Sequence, residues 1–100
     1  MDWAISTNGV PIRLTDERWR HIVENHDELA SYYEEALETV ENPQLVLRGL
    51  GRALIGVKAM GRRRYLAVVY KELNRRDGFT ITAYITSRIN RSLVVWSERS

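Results

Sequence analysis

The sequence predicts an α+β domain: two N-terminal helices packed on one face of a four- to five-stranded antiparallel sheet, with a short hairpin before them. Apolar residues recur at helical spacing between Asp16 and Glu41, and they alternate or run together, as in strands, from Gln44 onward. The connections in the second half are short, which is typical of antiparallel neighbours. A chain of 100 residues holds one core, so we expect one domain over residues 1–100, with its core at about 10–90.

Both ends of the chain contain candidate strands. Asn8-Gly9 lies between apolar segments, as in a hairpin turn, and Pro11 would restrict the second arm of that hairpin to a sheet edge. Near the C-terminus, residues 93–96 (LVVW) suit either a last strand or an ordered tail.

Two helices are expected between these ends. Thr15 offers an N-cap hydroxyl for a helix from about Asp16 to Asn25. A second helix over about Asp27–Glu41 would end before Pro43, because proline disfavours α conformation in the preceding residue. Helical spacing predicts two apolar faces, formed by Trp19, Ile22, Val23 and His26 and by Leu29, Tyr33, Ala36, Leu37 and Val40.

The second half reads as four strands, over Gln44–Arg48, Ala53–Met60, Arg64–Leu73 and Phe79–Ile89. Residues 65–70 are apolar on both parities, which predicts a central strand covered at least partly on both faces. In the last strand the alternation assigns Phe79, Ile81, Ala83 and Ile85 to the core. It assigns Thr80, Thr82, Tyr84, Thr86 and Arg88 to the opposite face.

Charge is divided along the chain. Residues 1–43 carry three basic and ten acidic side chains, a net −7, whereas residues 44–100 carry twelve basic and three acidic ones, a net +9. The cationic half suits a polyanion such as RNA, or else the two halves neutralise each other. No cysteine, signal peptide or membrane-spanning apolar run is present in the sequence, so a cytoplasmic protein without a membrane partner is expected.

The outward row of the last strand is the first candidate site. Hydroxyl groups can donate to phosphate oxygens, Tyr84 offers a ring on which a base can stack, and Arg88 can pair with a phosphate. The ordinary alternative is that threonine is simply a good strand former. Lys71, at the end of the central strand, could stabilise charge on a phosphate, although a lone lysine is usually just a solvated charge.

The histidines provide the second candidate site. A histidine can take and give protons near neutral pH. His21 lies on the same helix edge as Arg18 and is the better candidate for proton transfer, whereas His26 suits a structural role at the helix end. Because they are five residues apart, they do not share a helix face, and no metal or cofactor is expected. The arginines of the turns, Arg64 among them, could flank a nucleic-acid track.

The order RWRHIVENHDE, YLAVVYKE, FTITAYITSR resembles small proteins from bacteria, archaea and phages in the barnase–EndoU–colicin–RelE (BECR) superfamily of metal-independent RNases. The resemblance covers about residues 10–90. It implies two helices before an antiparallel sheet, with RNA across the exposed sheet face. One departure is that His26-Asp27-Glu28 stands where relatives have His-Pro-Glu.

The resemblance implies an endoribonuclease in which the ribose 2′-OH attacks the adjacent phosphate, and it implies a toxin of a toxin–antitoxin module. Its partners would be RNA (tRNA, mRNA or ribosome-associated) and an antitoxin protein. The alternatives are a catalytically inactive RNA- or protein-binding module and a homodimer that uses Leu93 and Trp96. The expected catalytic residues are His21, Lys71, Tyr84 and Thr86, and the expected RNA-binding residues are Arg18, His26, Arg64, Thr80, Thr82 and Arg88.

Overall fold

The structure is a computed structural model that describes residues 1–98; the last two residues of the predicted domain lie outside the described part. It contains two α-helices, α1 (Asp16–Asn25) and α2 (Tyr33–Glu41). The strands are β1 (Asp2–Ile5), β2 (Pro11–Leu14), β3 (Leu45–Arg48), β4 (Leu54–Gly61), β5 (Arg64–Asn74), β6 (Asp77–Thr86) and β7 (Val94–Ser97). The α+β class is therefore confirmed.

The sheet is larger than predicted and is mixed. Its seven strands have the order β1-β2-β6-β5-β4-β3-β7. The predicted antiparallel meander is present as β3 to β6, but β2 pairs parallel to β6 through Ile12 and Arg13. The prediction of four to five antiparallel strands is wrong because both chain ends add strands to the meander.

The N-terminal hairpin is present, but Pro11 does not confine its second arm to an edge. β2 lies between β1 and β6. Pro11 is the first residue of β2 and pairs only with Ile5 of β1, while the bridges to β6 begin one residue later. The missing proline N–H therefore interrupts no bridge to β6.

The helices follow the predicted pattern with one interruption. α1 has the predicted bounds, and the Thr15 side chain accepts a hydrogen bond from the Arg18 backbone N–H at 3.0 Å. The predicted second helix begins instead as a 3₁₀ turn over Asp27–Leu29, and α2 starts only at Tyr33. Trp19 and Tyr33 join the two helices in an edge-to-face contact with ring centroids 5.4 Å apart.

The helices cover one side of the sheet, which we call the helix face. The buried residues on this side include Ile22 of α1, Leu29 of the 3₁₀ turn, and Leu66, Val68, Tyr70 and Ala83 on the central strands. The side chains of Tyr65, Val69, Lys71, Thr82, Tyr84 and Thr86 alternate to the opposite side, which we call the outer face.

A β-bulge in β6 changes the predicted alternation. Val69 pairs with Thr82 and Tyr70 pairs with Thr80, so Ile81 has no partner on β5. Thr80 therefore turns to the helix face beside Tyr70 and is only 4 % exposed. Phe79 turns to the outer face opposite Lys71. The predicted positions of Thr80 on the outer row and Phe79 in the core are wrong.

The outer face is partly covered by the connection from β6 to β7, residues 87–93, which we call the crossing segment. It must pass three strands and most of a strand length, a diagonal of about 23 Å by standard spacings. The eight steps from Thr86 to Val94 reach at most about 28 Å. A 3₁₀ turn over Arg91–Leu93 shortens that reach, so the segment has little slack as it crosses the sheet. Val57 and Ala67 face away from the helices yet are each only 1 % exposed, as this cover requires.

Candidate functional site

Helix α1 lies along the edge of β6. β2 pairs only with the first part of β6, at Gly78 and Phe79, and the chain then turns at Thr15 into α1. The Arg18 guanidinium donates to the Ile81 carbonyl at 3.4 Å, at the bulge. Beyond Phe79, α1 rather than another strand therefore lies along this edge of β6. The groove between α1 and β6 opens toward the outer face.

The end of α1 brings His26 next to Tyr84. Their ring centroids are 6.5 Å apart and the ring planes are tilted by 41°. Both side chains are half-buried. His26 is the C-cap of α1, where the backbone leaves helical geometry, and its ring lies next to that of Tyr84 on β6. An imidazole and a phenol thus meet where the groove reaches the outer face.

Four predicted residues share this outer face. Tyr84, Thr82 and Thr86 of β6 oppose Ala67, Val69 and Tyr65 of β5, and Lys71 lies further along β5. Tyr84 and Lys71 therefore emerge on the same side, but their rows are four residues apart, about 13 Å. The Thr86 hydroxyl accepts from the Arg88 N–H at 3.1 Å and donates to the Arg88 carbonyl at 3.2 Å, so it closes a local turn.

Three predicted residues are placed elsewhere. Thr80 is buried on the helix face. Arg64 lies beside α2 at the opposite side of the sheet, where it lines a cavity of about 330 Å³ with Glu35 and Glu38. His21 is exposed and lines a shallow depression with Thr15, Glu17 and Arg18. The predicted catalytic set of His21, Lys71, Tyr84 and Thr86 does not form one cluster.

Phe79 and Arg13 are residues of this surface that the sequence interpretation missed. They line a depression of about 230 Å³ together with Thr15, Arg18 and Thr80. The outward position of Arg13 could have been read from its place between the apolar residues Ile12 and Leu14. Nothing in the sequence marks Ile81 as the bulge that turns Phe79 outward.

The charges of the two sides differ in sign. The helix side carries the exposed glutamates of α2, whereas Lys71 on the outer face and Arg88 and Arg91 on the crossing segment are cations. No salt bridge joins Lys71 to another of the described residues. The outer face is therefore more cationic than the helix side, even though the whole chain has a net charge of only +2.

The described residues contain no group of three or more His, Cys, Asp or Glu side chains that could hold a metal ion. No helix within residues 1–98 is both long and apolar enough to cross a bilayer. Comparison of the chain with protein-family models, with curated proteins and with solved structures found no match in any of the three.

Proposed function

We propose that the protein is an endoribonuclease that cleaves single-stranded RNA on the outer face, with His26 and Tyr84 as its acid–base pair. The contact between the His26 and Tyr84 rings carries this proposal. It joins a group that takes up protons to a hydroxyl donor on the outer face. Arg18 is a cation further along the same helix, with its guanidinium at the Ile81 carbonyl. The BECR resemblance agrees with RNA binding on this face.

The reaction needs only these side chains and the substrate. His26 takes the proton of the ribose 2′-OH, and the 2′ oxygen attacks the adjacent phosphorus. The bond from phosphorus to the 5′ oxygen breaks, and the Tyr84 hydroxyl gives its proton to that oxygen. The products are a 2′,3′-cyclic phosphate and a free 5′-OH, and a water molecule returns the proton from His26 to Tyr84. Arg18, about 12 Å along α1 from His26, binds a neighbouring phosphate of the same strand.

Two matched variants test the acid–base pair. We expect His26→Ala to slow cleavage of a labelled single-stranded RNA at least 100-fold, since a proton-transfer group contributes about 10²- to 10⁴-fold. Tyr84→Phe should slow it by a similar factor with unchanged RNA affinity. His21→Ala, on the same helix but in a separate depression, should cleave within a few-fold of the wild type. Cleavage lost in His21→Ala and kept in His26→Ala would overturn the assignment.

A toxin role is part of this proposal, because a free endoribonuclease damages cellular RNA. Expression of the wild-type chain should then slow growth, and His26→Ala should relieve that effect. An antitoxin protein would be the partner that blocks the outer face. Growth inhibition by His26→Ala equal to that by the wild type would contradict a nuclease toxin.

An RNA-binding module without cleavage is the second candidate. The separation of Lys71 from Tyr84 and the tied hydroxyl of Thr86 favour it, because the predicted catalytic set does not converge. The purified chain would then bind RNA and leave it intact, and Lys71→Ala would reduce affinity with a smaller salt dependence. Lys58→Ala is the matched control, since Lys58 pairs with Glu38 at 3.2 Å on the helix side.

A further inference from the structure

Four side chains form a row across the outer face, from β1 to β5. Trp3 pairs with Arg13, Arg13 pairs with Phe79, and Phe79 pairs with Lys71. Paired positions on adjacent strands point to the same side of a sheet. Aromatic and cationic side chains therefore alternate across four strands, over about 14 Å at normal strand spacing. We call these four residues the cross row.

The cross row is accessible. Trp3 is 54 % exposed, the Arg13 side chain is 39 % exposed, and Phe79 and Lys71 are half-buried. The crossing segment leads from the far end of β6 toward β7, away from β1 and β2. It therefore leaves this part of the outer face uncovered. At the sheet edge, Trp3 also borders a depression lined by Glu38 and Glu41 of α2.

Arg13 is held in place rather than free. Its Nε lies 3.2 Å from an Asp77 carboxylate oxygen and also donates to the Gly78 carbonyl at 3.3 Å. A guanidinium fixed in this way is a planar group between Trp3 and Phe79, and its charge is partly offset by Asp77. Lys71 makes no salt bridge with another described residue, so it is the positive charge of the row that is most available to a ligand. The chemistry of the row is mainly stacking, with one cation available for a phosphate.

We propose that the cross row is a second subsite for single-stranded RNA, in which Phe79 and Trp3 stack on unpaired bases and Lys71 contacts a phosphate. Flat rings alternating with cations are the means by which proteins bind single strands without sequence preference. This inference rests on the proposed function, because it extends the RNA path from Tyr84 toward β1.

The spacing selects single strands over duplexes. Phe79 and Tyr84 lie in rows about 13 Å apart. Bases in an RNA duplex are paired and stacked on one another, so their faces are hidden from protein rings. An RNA whose bases stack on both rings must therefore have unpaired, unstacked nucleotides at both positions, which a duplex cannot supply. A short substrate that fills only the His26–Tyr84 site would not reach the cross row.

The test measures binding with His26→Ala as the background, so that RNA is not consumed. A fluorescent single-stranded RNA of about 12 nucleotides, within the usual site size, is titrated against each variant. Phe79→Ala and Trp3→Ala should each weaken binding by roughly 5- to 100-fold, as loss of one stacked base does. Lys71→Ala should lower the slope of affinity against salt by about one. The duplex of the same sequence should bind more weakly than the single strand.

Matched controls separate the cross row from general effects. Trp96→Ala removes a tryptophan at the far edge of the sheet, and Lys58→Ala removes a lysine from the helix side; both should bind like the background. Trp3 is more than half exposed, so Trp3→Ala should fold normally even if Phe79→Ala does not. Unchanged binding in Trp3→Ala and Phe79→Ala would overturn the proposal. So would equal binding of the duplex, or a row variant that changes self-association of the chain and not RNA binding.

The same variants distinguish a failure of the proposed cleavage from a failure of the cross-row proposal. If the chain only binds RNA, the cross-row variants still lose affinity while no variant cleaves. If it cleaves, Phe79→Ala in the otherwise wild-type chain should raise KM for the long RNA and leave cleavage of a dinucleotide unchanged. Equal losses on both substrates would mean that Phe79 acts at the cleavage site itself and not in a separate subsite.

Discussion

Among single residues, Tyr70 is a buried ionisable group whose protonation affects the stability of the fold. Its side chain is fully buried in the core, and its hydroxyl makes no hydrogen bond of good geometry with any residue in 1–98. Burial, together with the nearby Glu72 carboxylate, raises the pKa of Tyr70 to about 12. Removing water from a phenolate is costly, so the folded protein keeps this group protonated.

Tyr70→Phe should weaken the dependence of stability on alkaline pH. Above pH 10.0, the reference pKa, the unfolded chain loses the Tyr70 proton while the folded chain keeps it to about pH 12. The free energy of unfolding therefore falls as pH rises through that window. The free energy of unfolding, measured with urea, should fall less between about pH 8 and pH 11 in Tyr70→Phe than in the wild type.

Tyr65→Phe serves as the control for the loss of one tyrosine, because Tyr65 is half-buried on the outer face. At neutral pH, Tyr70→Phe should be at least as stable as the wild type, since the buried hydroxyl that it removes makes no hydrogen bond of good geometry, although the Thr7 side chain is near it. A clearly less stable Tyr70→Phe at neutral pH would indicate that the hydroxyl has a favourable contact after all.

Among the secondary-structure elements, α1 does most to position the residues of the proposed site. The N-cap hydroxyl of Thr15 fixes the start of the helix, and the contact of Arg18 with the Ile81 carbonyl holds it against β6. The other end carries His26 to Tyr84. A helix that begins one turn later would move both of these contacts, so the cap supports the geometry of the proposed site.

Thr15→Ala should lower the free energy of unfolding by about 1 kcal/mol, because it leaves a helix N–H without its side-chain acceptor. Thr15→Ser, which keeps the hydroxyl, should lose much less. Chemical denaturation of the three proteins measures the difference. Equal stability of the alanine and serine variants would mean that the hydrogen bond to the Arg18 N–H contributes nothing.

For the whole molecule, the crossing segment decides how much of the outer face is available. It covers Val57 and Ala67, which are each only 1 % exposed. The sequence predicts at least partial cover on both faces for the strand that contains Ala67. The β6 side of the same face keeps Tyr84, Thr82 and Phe79 partly exposed. RNA is therefore expected on one half of the outer face, along α1 and β6, and not across all seven strands.

Val57→Ala tests whether the β4 side of the outer face is covered. If Val57 is covered, the substitution removes two buried methyl groups and creates a cavity. It should then lower the free energy of unfolding by about 1.5–3 kcal/mol. Val95→Ala, in which the valine is 54 % exposed on β7, should change stability by no more than about 0.5 kcal/mol. Thermal or urea unfolding compares the two. Similar small effects at both positions would show that solvent reaches Val57.

The local pattern of the sequence was enough to predict α1 from Thr15 to Asn25 and the four strands of the meander to within a few residues. These elements depend on caps, turns and periodicity, which act over a few neighbouring residues. The prediction of the second helix was less accurate, because the chain between His26 and Tyr33 first forms a 3₁₀ turn. Of the candidate site, Tyr84 and Lys71 were placed correctly on one face. The local pattern favoured His21 over His26 for proton transfer, and only the structure brought His26 next to Tyr84.

The sequence by itself determined the elements, the charge division and the residue types available for chemistry. Only the tertiary structure decided the bulge at Ile81, the pairing of β2 and β7 into the sheet, and the path of residues 87–93 over Val57. Each of these depends on contacts between residues far apart in the chain, whose pairing follows from how the whole core packs. The surroundings of Phe79, Thr80 and His26 follow from those contacts, so local periodicity could not reveal them.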